Sequence, residues 1–217
     1  MDGGIFDPLD YRNVAVSVVG AMLARPLSRL PPRESFSGGG VYVSYFKGKF
    51  PAYKRISGTD VPIYVGKAVP PGGRIGAEVP IGDDPDSLPM IEPNPGTVLY
   101  KRLCEHAESV SAAENLRDAK SSCRYLAVTH VWIVFAEEIL IRRFRPFWNL
   151  FVKGFGNHDV GKGRHNQRRS DWDEVHPGRK WATKCKPALR RPNEIIASIK
   201  ANDAQEAVVR SNRHCGK

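Results

Sequence analysis

The sequence predicts an α+β domain: a small mixed or antiparallel sheet flanked by helices, with a helical extension before it and a basic extension after it. Three observations lead there. β-Branched and aromatic residues cluster in short runs at 40–46, 61–66 and 123–129, with no helical pattern between the first two. Apolar residues recur at helical spacing over 97–111 and again over 131–144. The resulting order of strand, strand, helix, strand, helix departs from the strict alternation of a parallel α/β fold. At 217 residues, with 41% hydrophobic and 26% charged residues, the chain is one globular domain of generous size or a core with elaborated ends. The expected divisions are an N-terminal helical extension at 1–38, a core at 39–152 and a basic C-terminal extension at 153–217.

In chain order, Asp10 is a possible cap for a packed helix carrying Val14, Val16, Val18, Val19, Met22 and Leu23, which Pro26 ends. Nothing in it carries chemistry, so packing, dimer contact and grip on a ligand all stay open. Gly40 to Phe46 alternates Val41, Val43 and Tyr45 against Tyr42, Ser44 and Phe46, and reads as a strand. Val61 to Gly66 reads as its neighbour, joined to it through a polar, basic, turn-rich connection at 47–60. Tyr42 and Tyr64 thereby fall on adjacent strands, where lone tyrosines would ordinarily be sheet aromatics. Pro70 to Pro95 holds seven prolines and is a long surface loop. Its Gly73, Gly76 and Gly82 fit neither nucleotide-binding fingerprint.

The helix expected from Thr97 to about Ser111 has Leu99 and Leu103 as apolar positions and sets Arg102 and His106 one turn apart on one face. A third strand follows at Cys123 to Thr129. In the next helix Glu137, Leu140, Ile141 and Phe144 recur at three- and four-residue steps, so a carboxylate lies on an apolar stripe. Glu138 turns away toward solvent, Pro146 ends the helix and Asn149 follows.

The formal net charge of +10 points to a polyanionic partner, nucleic acid first. Seven of those ten charges lie between Val152 and Arg191, where eleven Lys or Arg face four acids. Within that segment Lys162, Arg164, Gln167, Arg168 and Arg169 stand among glycines. Such a loop suits close approach to phosphates and guanidinium contact with guanine edges. Trp172 and Trp181 are expected to pack this extension onto the core, and 193–212 reads as a terminal amphipathic helix. No apolar run reaches the roughly 20 residues of a membrane span. Asp2, Asp7 and Asp10 stand where a signal peptide would be positive, so a cytoplasmic location is expected. Cys104, Cys123, Cys185 and Cys215 lie too far apart for a zinc site and read as free thiols.

Taken together these residues resemble the GIY-YIG nucleases. Gly40-Val41-Tyr42 and Tyr64-Val65-Gly66 are similar to the two name-giving strand motifs, with valine at each centre. Arg102 falls where that family has its catalytic arginine, and Glu137 with the trailing Asn149 matches its metal-binding glutamate and asparagine. The separation of Tyr42 and Tyr64 is about twice the usual one. His106, the stretch Ile63 to Val69, and the run from Gly154-Phe155-Gly156-Asn157-His158 through Ser170-Asp171-Trp172-Asp173 to His176-Pro177-Gly178 resemble the Type II restriction endonuclease branch.

That resemblance implies a homodimer that hydrolyses double-stranded DNA at a GC-rich palindrome of the CCGCGG kind. A DNA methyltransferase would protect the host's own sites. It further implies one Mg²⁺ per site on Glu137, Arg102 on the scissile phosphate, and Tyr42 and Tyr64 at the reacting water and phosphate. His106 would draw the proton of Tyr42, since a free phenol titrates near 10 and needs a partner to act as base. Asn149 would help position the phosphate and the metal shell, and Lys67 is a further phosphate contact. Three rival expectations are a GIY-YIG repair or homing nuclease, a histidine-metal nuclease finger built on His158 and His165, and a DNA-binding module without catalysis.

Overall fold

The computed structural model describes residues 10–70, 96–159, 161 and 166–202. Lys162, Arg164 and His165, most of the stretch expected as a proline-rich loop, Cys215 and the part of the expected terminal helix beyond residue 202 lie outside them. Helix α1, Tyr11–Leu23, starts where the Asp10 carboxylate accepts from the Arg12 backbone N–H at 2.7 Å. Next come β1, Ser28–Arg29, and β2, Gly40–Lys47. β3 is Tyr64–Ala68, α2 is Val98–Ala112, β4 is Lys120–Ala127 and α3 is His130–Phe144. The short helices α4, Phe147–Leu150, and α5, Asp171–Val175, precede a last helical stretch at 192–202.

The four strands form one sheet in the order β1-β4-β2-β3, antiparallel at every pairing, so of the mixed and antiparallel alternatives the antiparallel one holds. Strands β2 and β3 pair through Tyr42 opposite Gly66 and Ser44 opposite Tyr64, which places β3 at an edge. Side-chain alternation then splits β2 between two layers. Val41, Val43 and Tyr45, with Val65 of β3, pack against Met22 of α1 and Ile133, Ala136 and Leu140 of α3. Tyr42 and Phe46 face the opposite layer, with Leu99, Leu103 and Val110 of α2.

The C-terminal extension belongs to this second layer. Phe155, Trp172, Val175, Ile195 and Ile199 share its core with Tyr42 and Leu99, and Trp172 is fully buried. Each such large side chain contributes on the order of 1.5–3 kcal/mol of burial, so the extension is held as firmly as any core element.

Three sequence expectations shift. β3 begins at Tyr64 and runs on to Ala68, because Pro62 has no N–H for the ladder and residues 61–63 join it only through the Ile63 N–H on Ser44 O. β4 starts at Lys120 and stops at Ala127, two residues short of Thr129, which precedes α3. The connection between β2 and β3 is no bare loop: a 3-10 turn at Pro51–Tyr53 sinks Ala52, Tyr53 and Ile56 into the core.

Candidate active site

Residue types at the β2–β3 pairing decide the arrangement. Tyr42 and Tyr64 lie diagonally across the ladder on one face, ring centroids 6.1 Å apart, and Gly66 opposite Tyr42 leaves room for both. A Cβ at Gly66 would press on the Tyr42 hydroxyl and come within 2.8 Å of the Tyr64 ring. The closing glycine of the second motif is thus required by the packing of two phenols.

Helix α2 lies over this face, and its one-turn spacing delivers Arg102 and His106 together. The Tyr42 hydroxyl is hydrogen-bonded to His106 Nε2, with both side chains buried. Burial, then the phenol of Tyr64, pushes the Tyr42 hydroxyl well above its ordinary range. Burial also holds His106 well below its ordinary range, with the cationic Arg102 and Arg179 adding to the effect. The pair is therefore neutral, with Tyr42 donating and the imidazole accepting. Tyr64 is raised too, by burial first and by the Glu137 carboxylate, against the lowering by Arg102. The Arg102 guanidinium and the Glu137 carboxylate thus act in opposite senses on the Tyr64 phenol.

Glu137 belongs to α3, in the layer on the other side of the sheet, and meets Lys67 of the edge strand β3. The buried stripe of α3 is Ile133, Ala136, Ile139 and Leu140. Glu137 stands on the shoulder of that stripe, its side chain 18% exposed and ion-paired with Lys67. Glu138 is 50% exposed and pairs with Arg142 at 2.6 Å. Lys67 also lines an open cleft of about 250 Å³ with Lys101, Arg102, Glu105 and His158. A single half-buried carboxylate facing a cation is a hard oxygen donor suited to a divalent ion that keeps waters and phosphate oxygens in its shell. Among the described residues no group of three or more His, Cys, Asp or Glu gathers to hold a metal.

Asn149 has a different setting from the one expected. Its Oδ1 accepts from Val65 N–H and its Nδ2 donates to Val65 O, both at 2.8 Å. The amide is committed to the β3 backbone between Tyr64 and Gly66, so it fixes the strand that carries the motif.

Of the other expected contacts, Arg168 donates to Pro187 O at 3.2 Å and Arg169 pairs with Glu174 at 3.4 Å. Gln167 is exposed, its carbonyl accepting from Lys186 N–H at 3.0 Å. Arg168 and Arg169 border a groove of about 490 Å³ with Lys153, Asn157 and Arg190.

Sequence reasoning missed the second contact layer around Arg102. Arg102 donates to Gly156 O, and its guanidinium lies against His158 and pairs with Glu105 at 2.9 Å. The Phe155 ring stacks on His106 at 4.3 Å. Glu105 had a readable signal in its three-residue spacing from Arg102; the carbonyl contacts had none.

Residues 34–202 match the family model described as the Eco29kI GIY-YIG domain. The chain belongs to this GIY-YIG family. It is accordingly a nuclease of the GIY-YIG restriction type, a class that acts on DNA and depends on a divalent metal. The match takes in every GIY-YIG site residue described above and most of the C-terminal extension. No curated protein matches the chain. Among the described residues no helix is long and apolar enough to cross a membrane.

Proposed function

We propose that this protein is a Type II restriction endonuclease that hydrolyses both strands of double-stranded DNA at a specific palindrome, of the GC-rich CCGCGG kind, using one Mg²⁺ per active site. The observation that carries the reading is the buried Tyr42–His106 pair packed with Tyr64 and set one helical turn from Arg102, which lines one open cleft together with Lys67, the ion-pair partner of Glu137.

Phosphodiester hydrolysis needs a deprotonated water in line with the leaving 3′ oxygen, and positive charge on the phosphate as the bond breaks. A neutral phenol can take a proton from water only by giving up its own. His106 is neutral and already accepts from the Tyr42 hydroxyl, so the proton of Tyr42 passes to Nε2 as the water proton passes to the Tyr42 oxygen. Arg102 meets the scissile phosphate with a fixed fork of donors, and Tyr64 beside it orients a phosphate oxygen. Glu137 would hold the divalent cation, which when bound supplies neutralising charge at the phosphate and the departing oxygen. Lys67 would then move from Glu137 to the phosphate, and Asn149 keeps Val65 in register beneath both tyrosines.

Cutting two strands of a palindrome calls for two sites related by a two-fold axis. An exposed apolar patch supports a second copy of this chain: Tyr11 of α1 and Trp132 of α3 both pack on Phe135 while 40% and 44% exposed, and Val131 and Val134 of the same α3 turn are 62% and 56% exposed. The proposed DNA-reading residues are Lys162, Arg164, Gln167, Arg168 and Arg169, of which Arg168 and Arg169 border the basic groove. The function calls for a partner DNA methyltransferase and a cytoplasmic location where it meets invading DNA.

The test is incubation of purified protein with long, sequenced DNA in Mg²⁺ or in EDTA. Discrete, metal-dependent fragments whose ends share one palindrome support the reading. A metal-dependent smear would replace it with a repair-type nuclease, and tight binding without cleavage would replace it with a DNA-binding module.

A further inference from the structure

The segment 154–157 forms the wall of the catalytic centre, and its backbone carbonyls are gathered by two guanidinium groups. Phe155 stacks on the His106 ring and meets Tyr64 edge-on at 4.8 Å. A Cβ at Gly156 would come within 2.6 Å of the Tyr64 hydroxyl and 3.3 Å of Arg102 Nη2, so this backbone fits directly against both. Arg102 takes the carbonyl of Gly156. Arg179 takes the other three: Nη2 donates to Gly154 O at 3.0 Å, and Nη1 donates to Phe155 O and Asn157 O, each at 3.1 Å. The remaining Nε donates to Asp173 Oδ1 at 2.6 Å.

Arg179 is built into this position. Its side chain is 4% exposed and that of Asp173 1%. Its guanidinium lies 4.5 Å from the Trp172 ring centre and 4.9 Å from that of Trp181. Leaving a buried charge without its partner costs several kcal/mol, so Asp173 holds Arg179 in place. Lysine keeps the charge but lacks the planar fork that spans three carbonyls. The carbonyls so held include both neighbours of Gly156, whose own carbonyl holds Arg102.

We propose that Arg179, fixed by Asp173, is a positioning residue for strand cleavage: through the carbonyls of 154–157 it sets Arg102 on the phosphate and seats Phe155 against His106 and Tyr64. It touches no substrate. This rests on the nuclease reading of the site, and a misplacement of Arg102 by about 1 Å is enough to cost on the order of 10²-fold in rate.

The test uses the full chain carrying Arg179→Lys or Asp173→Asn, with Val175→Ala as a control of similar thermal destabilisation in the same extension. The first readout is independent of cleavage. The Arg102 Nε–H signal in NMR should be ordered in wild type and Val175→Ala, and mobile in Arg179→Lys and Asp173→Asn. The second is single-turnover cleavage of a cognate duplex. The rate should fall roughly 10- to 100-fold in both variants, with duplex affinity in EDTA within about threefold of wild type. In an Arg102→Lys background, Arg179→Lys should add less than about threefold, because both changes act on one group.

An ordered Arg102 in Arg179→Lys and Asp173→Asn would overturn the proposal. So would multiplicative rate losses in the double variant, or an equal loss in Val175→Ala. Should wild type cut no DNA, the nuclease reading fails, while the NMR readout still decides whether Arg179 positions Arg102. Should Arg179→Lys not fold, Asp173→Asn carries the same comparison.

Discussion

Replacing His106 with glutamine separates hydrogen bonding from proton acceptance at Tyr42. An amide oxygen can accept from the buried hydroxyl but cannot take its proton, so Tyr42 would have to lose that proton to solvent. An ordinary phenol titrates near 10 and burial raises this one. At pH 7.5 its ionised fraction is therefore below about 1 in 300. The single-turnover rate of His106→Gln should fall at least roughly 300-fold at pH 7.5 and climb about tenfold per pH unit up to pH 9. Wild type should be flat over the same range. Burial holds His106 well below 6.5, so its accepting form is already populated on the acid side of neutrality. The assay is single-turnover cleavage of a cognate duplex at saturating enzyme and constant metal from pH 6 to 9, with thermal unfolding as a check on folding. A glutamine variant that kept the wild-type rate within a few fold, with the same flat profile, would refute the relay.

Three further outcomes are expected. Burial, with Arg179 beside it, lowers His176 to about 3, and His106 is also depressed, so both are neutral when folded. Below about 6.5 the unfolded chain binds protons that the folded one refuses. Urea unfolding should therefore show stability lost as pH falls from 6.5 to 5, roughly 1.5–2 kcal/mol of it from His176, and His176→Gln should remove that part of the slope. Asn149→Asp removes the donor to Val65 O and sets a carboxylate against that carbonyl, for a loss of about 1–3 kcal/mol by thermal unfolding; unchanged stability with lost cleavage would point instead to direct contact with the phosphate or metal. Val131→Asp combined with Val134→Asp should convert a sedimenting dimer to monomer, and a wild type that is monomeric both free and on a cognate duplex would contradict the two-fold arrangement.

Much of the fold was legible because local pattern and tertiary demand agree. Helix α2 starts one residue inside its expected bound and α3 covers the predicted span, since their apolar spacing is also the spacing that meets the sheet. β3 slipped toward its C-terminal end because Pro62 breaks the ladder, a backbone effect that side-chain pattern understates. The convergence of Tyr42, Tyr64, Arg102 and His106 was readable from two strand motifs and one helical turn. The two-sided grip of Asn149 on Val65 was not, because the partner is backbone and carries no residue signature. The same reason hid Arg179: the recognised run ends at Gly178, one residue short of it, and the carbonyls it holds look alike in any sequence.

On the proposed reading, the Glu137 carboxylate carries the metal on which cleavage depends. A Mg²⁺ titration of single-turnover cleavage, run in parallel on wild type and Glu137→Gln with duplex binding measured in EDTA, decides this role. Saturable, metal-dependent cleavage by wild type, and none by Glu137→Gln at any Mg²⁺ concentration with binding intact, is the predicted result. Cleavage by Glu137→Gln at the wild-type rate would contradict it.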